Sequence, residues 1–394
     1  MIGIWQRAGQ VAGQVALVLP LVLFLGVFFV WPLLFVLDQA VSDPIVSRHL
    51  PATTAASATW DRKSTPSAEM QQALVRDLRA IDDDQMLGDL VRRLNSAQPG
   101  FRTLMKKTVT AARDSTGELD LAEVDPRWRD TAFWRAIAEA TNPYTDRNLL
   151  AAIDLQRDPS GAIATIPEGE SANRAILLRT FLVETTVTLA TGLIGLPYAM
   201  LVASATGWRR QLLLAAVLLP LWTSLLVRTT AWYILLQDQG LINSALAALG
   251  LIARPLPLLF NRTGVIIAMT HVLLPFMVLP IYSVLIAIPR NLMPAAASLG
   301  ASPIRAFVHV LLPLTLRGIA SGALLVFMAA LGYYITPALI GGPKDQMISS
   351  VIAFYATGSA NWGMAGALGI VLLAATLVLY GIYGRLSAAN TARG

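Results

Sequence analysis

Six long apolar runs, each bounded by polar or charged residues, divide this 394-residue chain. They lie near residues 11–37, 177–205, 211–236, 263–288, 314–339 and 364–385. A hydrocarbon core of ~30 Å takes roughly 20 residues of helix to cross, so the pattern predicts an all-α membrane protein with about six transmembrane helices. The first run is longer than the apolar part of a cleaved leader and is interrupted by Pro20 and Pro32, so it is expected to stay as a helix. The small-x-small triplet Ala40-Val41-Ser42 leaves cleavage open.

Between the first and second runs the pattern changes to polar with helical periodicity. Met70, Leu74, Val75 and Leu78 recur at helical spacing, and Met86, Leu87, Leu90, Val91 and Leu94 repeat it after the acidic turn Asp82–Asp84. Trp128, Phe133, Trp134 and Ile137 begin another amphipathic helix, with Asp125 and Pro126 as its start signal. A helical insert over 40–176 follows, tied to its flanking spans by Val41–Thr65 and Asp158–Ser171, whose Pro, Ser, Thr and Gly content predicts loops. The expected organisation is a polar end and first helix (1–39), the insert (40–176) and a five-helix core (177–394). Within the connection Gln237–Asn261, the stretch Gly240–Leu259 is apolar enough to lie along a membrane surface. No internal repeat is evident, which weakens a self-contained inverted-repeat transporter.

Composition agrees: 55% of residues are hydrophobic, 14% are charged, and the mean hydropathy is +0.59. Charge then sets orientation. Segments 1–10, 206–210, 289–313 and 386–394, with the adjoining span ends, hold Arg7, Arg209, Arg210, Arg290, Arg305, Arg317, Arg385 and Arg393 and no acid. Of the 24 acidic residues, all but Glu184, Asp238 and Asp345 lie between Asp38 and Glu170. The positive-inside rule puts both termini and 289–313 in the cytosol and the insert outside. The net charge of +6 therefore calls for no nucleic acid. With no cysteine, disulfides and thiolate metal sites are excluded.

Enzyme signatures are few. There is no GxxxxGK[ST] loop, no HExxH and no cysteine nucleophile, and His49, His271 and His309 are scattered, so no cofactor or metal is expected. His271 and His309 read either as packed, hydrogen-bonded side chains or as ligands. Two charges fall inside spans: Glu184 and Arg228, each roughly 10–12 Å deep at about 1.5 Å per residue. An unpaired charge at such depth costs about 2.5–3.5 kcal/mol, so the two are expected to pair or to face a wet cavity, and a pair would either staple two helices or line a substrate path. Trp222, Arg228 and Trp232 share one predicted helix; Tyr333, Tyr334 and Thr336 precede Pro337, where a helix would kink or end. These aromatics suit a cation or a sugar, or form an interfacial belt.

The stretch Pro294–Pro313 (PAAASLGASPIRAFVHVLLP) reads as a helix, a turn at Gly300 and a second helix opened by Ser302 and Pro303. Its Ala295, Ala296, Gly300, Ser302, Arg305, Val310, Leu312 and Pro313 resemble the EAA loop of membrane subunits of bacterial ABC importers, the element that docks on the ATPase. Where that family carries Glu, this chain has Pro294, so the salt bridge that Glu would make is missing. Pro220–Leu236 with Gly240–Asn243, and Gly332–Pro343, resemble spermidine/putrescine-type permeases and their opine-type relatives. Asn148–Leu155, Gly161 and Pro167-Glu168 resemble the longer permeases of that group. The resemblance implies a type I importer permease of the bacterial inner membrane, translocating a polyamine or related amine or opine. It would pair with a second, different permease, two cytosolic ATPase subunits and an extracytoplasmic solute-binding protein. Two other readings stand beside it: an ion-coupled transporter using Glu184, and a membrane-anchored receptor whose insert binds the ligand.

Overall fold

The computed structural model describes residues 17–115, 117–158, 161–167, 169–359 and 361–391. Residues 11–16 of the first apolar run, the segment 1–10 with Arg7, and Glu168 and Arg393 lie outside the described residues. Two compact units result, one running to Leu150 and the other starting at Ala151. The boundary of compaction thus falls earlier than residue 176, where polarity alone draws it.

The first unit contains the apolar helix α1 (Leu17–Val41) and the insert helices α2 (Ile45–His49), α3 (Pro51–Ser57), α4 (Ala68–Ala80), α5 (Asp84–Ala97), α6 (Phe101–Asp114), α7 (Leu121–Val124) and α8 (Thr131–Ala140). The insert has a core of its own, in which Leu74, Leu78, Leu90, Leu94, Phe101, Leu104, Trp128 and Trp134 are buried. Ser67 and Asp83 accept from main-chain N–H groups at the starts of α4 and α5, filling donors that have no partner within a helix. The buried indoles are satisfied too: Trp128 Nε1 donates to Thr108 Oγ1 and Trp134 Nε1 to the Trp128 carbonyl, both at 2.9 Å. Met86 departs from the predicted face and is exposed, because Leu87, Leu90, Val91 and Leu94 alone make the buried stripe of α5.

Val41–Thr65 is not simply a loop, since α2 and α3 form within it. The carboxylate of Asp77, on α4, accepts from Ala52 N (3.1 Å), Thr53 N (2.7 Å) and Thr53 Oγ1 (2.7 Å). The cap of α3 is therefore supplied from another helix, where local composition gives no sign of it.

In the second unit, α9 (Arg147–Ala152) leads across the boundary into a hairpin, also read as loop from composition, in which β1 (Leu155–Arg157) pairs antiparallel with β2 (Ile163–Thr165). Then come α10 (Asn173–Ser204), α11 (Gly207–Trp222), α12 (Leu225–Leu235), α13 (Leu241–Ala248), α14 (Arg262–Ala287), α15 (Leu292–Ser298), α16 (Pro303–Gly332), α17 (Ile335–Ile340), α18 (Ile348–Gly358) and α19 (Trp362–Thr391). Among the described residues, five helices are long and apolar enough to span a membrane: α1, α10, α14, α16 and α19. The predicted third span, 211–236, is not straight: α11 and α12 are separate helices meeting at 103°, a sixth span if the bent pair crosses as one. The first closes at Trp222, where Thr223 N bonds the Pro220 carbonyl, and Ser224 caps the second by accepting from Val227 N.

Helices α10, α14 and α16 form the packed centre. Gly195 of α10 and Gly322 of α16 both meet Met277 of α14; a Cβ would stand 2.8 Å from Met277 Cγ at the first and 2.9 Å from Met277 Sδ at the second. Small residues let these backbones approach, as helices in lipid require. The predicted start of the fifth span at 314 is also corrected, because α16 runs unbroken from Pro303. Pro313 cannot donate to the preceding turn, and the helix widens just before it: Leu312 N bonds the Phe307 carbonyl, five residues back. The same device precedes Pro32 in α1, where Trp31 N bonds the Gly26 carbonyl.

Candidate functional site

The elbow between α14 and α16 is a helix, a left-handed turn and a second helix start. α15 begins at Leu292, so Pro294 falls in its first turn, where a missing N–H costs no hydrogen bond. It ends at Gly300, whose φ of +86° is accessible to glycine. Gly300 N donates to the Ala297 carbonyl (2.9 Å) and Ala301 N to the Ala296 carbonyl (3.0 Å), a doubly bonded helix stop. Ser302 then caps α16, its Oγ accepting from Arg305 N at 3.4 Å.

Ala296 is buried, Ala295, Gly300, Ser302, Arg305 and Pro313 are exposed, and Val310 and Leu312 are half-buried within α16. The most prominent side chains were not singled out by sequence. Leu299 is 89% exposed and Ile304 is 78% exposed, one on each side of the turn. Their only signal in the chain is that a large apolar residue flanks each side of Gly300-Ala301-Ser302-Pro303.

The second cluster lies where two apolar helices break. At the first break, Arg228 Nη2 donates to the Thr223 carbonyl at 3.0 Å, closing α12 back on the residue where the chain turns. At the second, between α16 and α17, Ser349 Oγ donates to the Tyr333 carbonyl (2.9 Å) and Ser350 Oγ to the Tyr334 carbonyl (3.3 Å). Main-chain groups freed inside a membrane need such partners. The two breaks are joined: the hydroxyls of Thr229 and Thr336 are buried and 3.1 Å apart. One turn beyond Arg228, Trp232 Nε1 donates to His271 Nδ1 of α14 at 3.2 Å. Arg228, Tyr333, Tyr334 and Thr336 are therefore gathered around one seam. Thr229, Ser349 and Ser350 complete it, and no local sequence pattern marks them. Trp222 stands at the end of α11, 89% exposed.

Glu184 is elsewhere. It is on the α10 face made by Thr180, Val183, Val187 and Thr191, wholly buried, and neither carboxyl oxygen has a hydrogen-bond partner among the described residues. Arg228 Nε and Nη1 are likewise without one. The expected Glu184–Arg228 pair is thus corrected: the 103° break turns α12 away from the straight path on which equal depth was reckoned, and the guanidinium serves the break instead.

The family described as "Binding-protein-dependent transport system inner membrane component" matches residues 193–390. The spermidine/putrescine transport system permease protein PotB of Escherichia coli (strain K12) is 34% identical over 212 residues, covering 54% of this chain and 77% of that protein. The inner membrane ABC transporter permease protein YdcU of the same organism is 34% identical over 220 residues, covering 53% and 67%. A chain of a bacterial alginate ABC transporter, crystallised with its alginate pentasaccharide-bound periplasmic protein, aligns at 18% identity with a TM-score of 0.47, covering 56% and 79%. The chain belongs to the binding-protein-dependent transport system inner membrane components and is a multi-pass permease subunit of an ABC importer.

Proposed function

We propose that this permease carries a small organic amine of the polyamine class, as one of two different, paired permease subunits switched by two cytosolic ATPase subunits. A solute-binding protein delivers the amine on the side of the insert 40–176, while both termini and 289–313 face the cytosol. ATP hydrolysis belongs to the ATPase chains. The observation that carries this reading is the elbow: Leu299 and Ile304 present apolar surface on either side of a doubly bonded turn, with the Arg305 cation beside them. Exposed apolar residues on a fixed turn suit a protein partner.

For the amine, the spermidine/putrescine name of the relative in Escherichia coli lends support. The exposed rings of Trp222 and Tyr334 offer faces for an ammonium. Tyr333 and Thr336 belong to the same path, and Arg228 holds the break that shapes it. The test is Gly300→Glu in the complete transporter, with labelled putrescine as the probe. Hydrolysis should continue while uptake is lost; undiminished uptake contradicts the role of the elbow, and wild-type uptake that needs no ATP contradicts the importer reading.

A further inference from the structure

Glu184 is a buried acid that nothing described so far uses. The hydroxyls near it along α10 are engaged elsewhere. Thr180 donates to the Ile176 carbonyl and accepts from Ile348 N, Thr188 donates to the main-chain carbonyl of Glu184, and Thr191 donates to the Val187 carbonyl.

Among the described residues, no cation pairs with it either. The helices packed against α10 are α11, α14, α16 and α18. Their charged or titratable residues are Arg209 and Arg210 on α11, Arg262, His271 and Tyr282 on α14, and Arg305, His309 and Arg317 on α16; α18 adds Tyr355. Arg262 is paired with Asp345 at 3.4 Å, and His271 accepts from Trp232. Arg209, Arg210, Tyr282, Arg305, His309 and Arg317 lie beyond the Gly195–Met277–Gly322 contact, which is itself eleven residues, roughly 16 Å, along α10 from Glu184. Tyr333, just after α16, is half-buried against the apolar core. On α10 itself, Arg174 and Arg179 sit toward its start, where they donate to the Ile153 and Lys344 carbonyls, and Tyr198 donates to the Leu213 carbonyl.

An ionised carboxylate with neither counter-ion nor donor is strongly disfavoured in such a place. A proton is the one neutralising ligand that needs no room. A second orphan shares this interface: Thr270 Oγ1 is buried and unpartnered, on the α14 face that carries Met277 two turns later and meets α10. Among the described residues, α10 and α14 thus each carry a buried polar side chain that their packing leaves without a partner.

We infer that Glu184 is a proton-binding site, neutral while α10 is packed on α14 and α16 and ionised when those helices separate, so that the transport switch releases and regains one proton. The coupling to the switch rests on the importer reading; the proton itself does not. Infrared spectra of the purified full-length chain and its Glu184→Gln variant test the site directly. At neutral pH the wild type should show the carbonyl absorption of a protonated carboxyl that the variant lacks; a difference spectrum showing carboxylate instead overturns the proposal. In the complete transporter, uptake of labelled putrescine should fall by up to ~10-fold per pH unit on the alkaline side, following the loss of protonated acid. In Glu184→Gln this limb should be flat. The same limb in both proteins overturns the coupling, whereas ATP-independent uptake sinks the importer reading and leaves the infrared result standing.

Discussion

Thr229 and Thr336 share one hydrogen bond of 3.1 Å inside the protein, and through it the second half of the broken span is fastened to the short helix that follows α16. Each hydroxyl is wholly buried, so each depends on the other. Replacing one by valine keeps the shape and strands its partner, at a cost of about 1–3 kcal/mol. Replacing both removes the stranded group. Thermal unfolding of Thr229→Val, Thr336→Val and the double variant should show the double variant less destabilised than the sum of the two.

Arg228 and Glu184 should behave independently. Because the guanidinium serves the Thr223 carbonyl and the carboxyl lies in a different interface, Arg228→Gln should cost about 1.5–3 kcal/mol, the worth of a charged hydrogen bond. Adding Glu184→Gln should neither rescue nor deepen that loss, within ~0.5 kcal/mol. Rescue in the double variant would show that the two charges interact in the wild type and contradict their independence.

At the elbow, stability and docking can be separated. Gly300→Ala meets no atom within 4 Å, so its penalty is backbone strain alone, roughly 1–2 kcal/mol at positive φ. Leu299→Ser and Ile304→Ser remove exposed apolar surface and should leave the melting temperature unchanged while weakening copurification of the ATPase. A fall in stability without loss of the partner would contradict the assignment.

The insert has an acid-sensitive point. The side chain of Arg127 hydrogen-bonds Asp125 and, with help from Lys107 and against the effect of burial, holds its carboxyl well below the ordinary carboxylate range. A lowered folded-state value means that its stabilisation is complete above the unfolded value, near ~3.9, and drains away as pH falls toward the folded one. Fluorescence of the buried Trp128 and Trp134 in the full chain should therefore report loosening only under acid. Asp125→Asn should lose about 1–3 kcal/mol at neutral pH and respond less steeply to acid.

Much of this architecture was legible in the chain. Periodic leucines gave the insert helices, long apolar runs gave the spans, and Gly300 followed by Ser302-Pro303 gave the elbow, because each is a local rule of side-chain spacing or backbone freedom. What escaped were interactions between distant segments. Asp77 caps α3 from 24 residues away. Arg228 bonds a carbonyl at a bend that a hydropathy count passes straight through, and Ser349 and Ser350 reach carbonyls 16 residues earlier. Depth along a straight helix suggested an ion pair; the bend removed it. Leu299 and Ile304 were visible as letters, yet only the fold shows that they stand out.

α16 runs 30 residues without a break from the elbow to Gly332, a length of about 45 Å. It is a rod with the exposed Gly300 turn at one end and the Tyr333 carbonyl at the other. A displacement applied at Ser302 arrives at the seam with no joint to absorb it, except where the widened turn before Pro313 lets the rod flex. Stiffening that turn by replacing the proline would change how much of the stroke is delivered, though it touches neither nucleotide nor cargo.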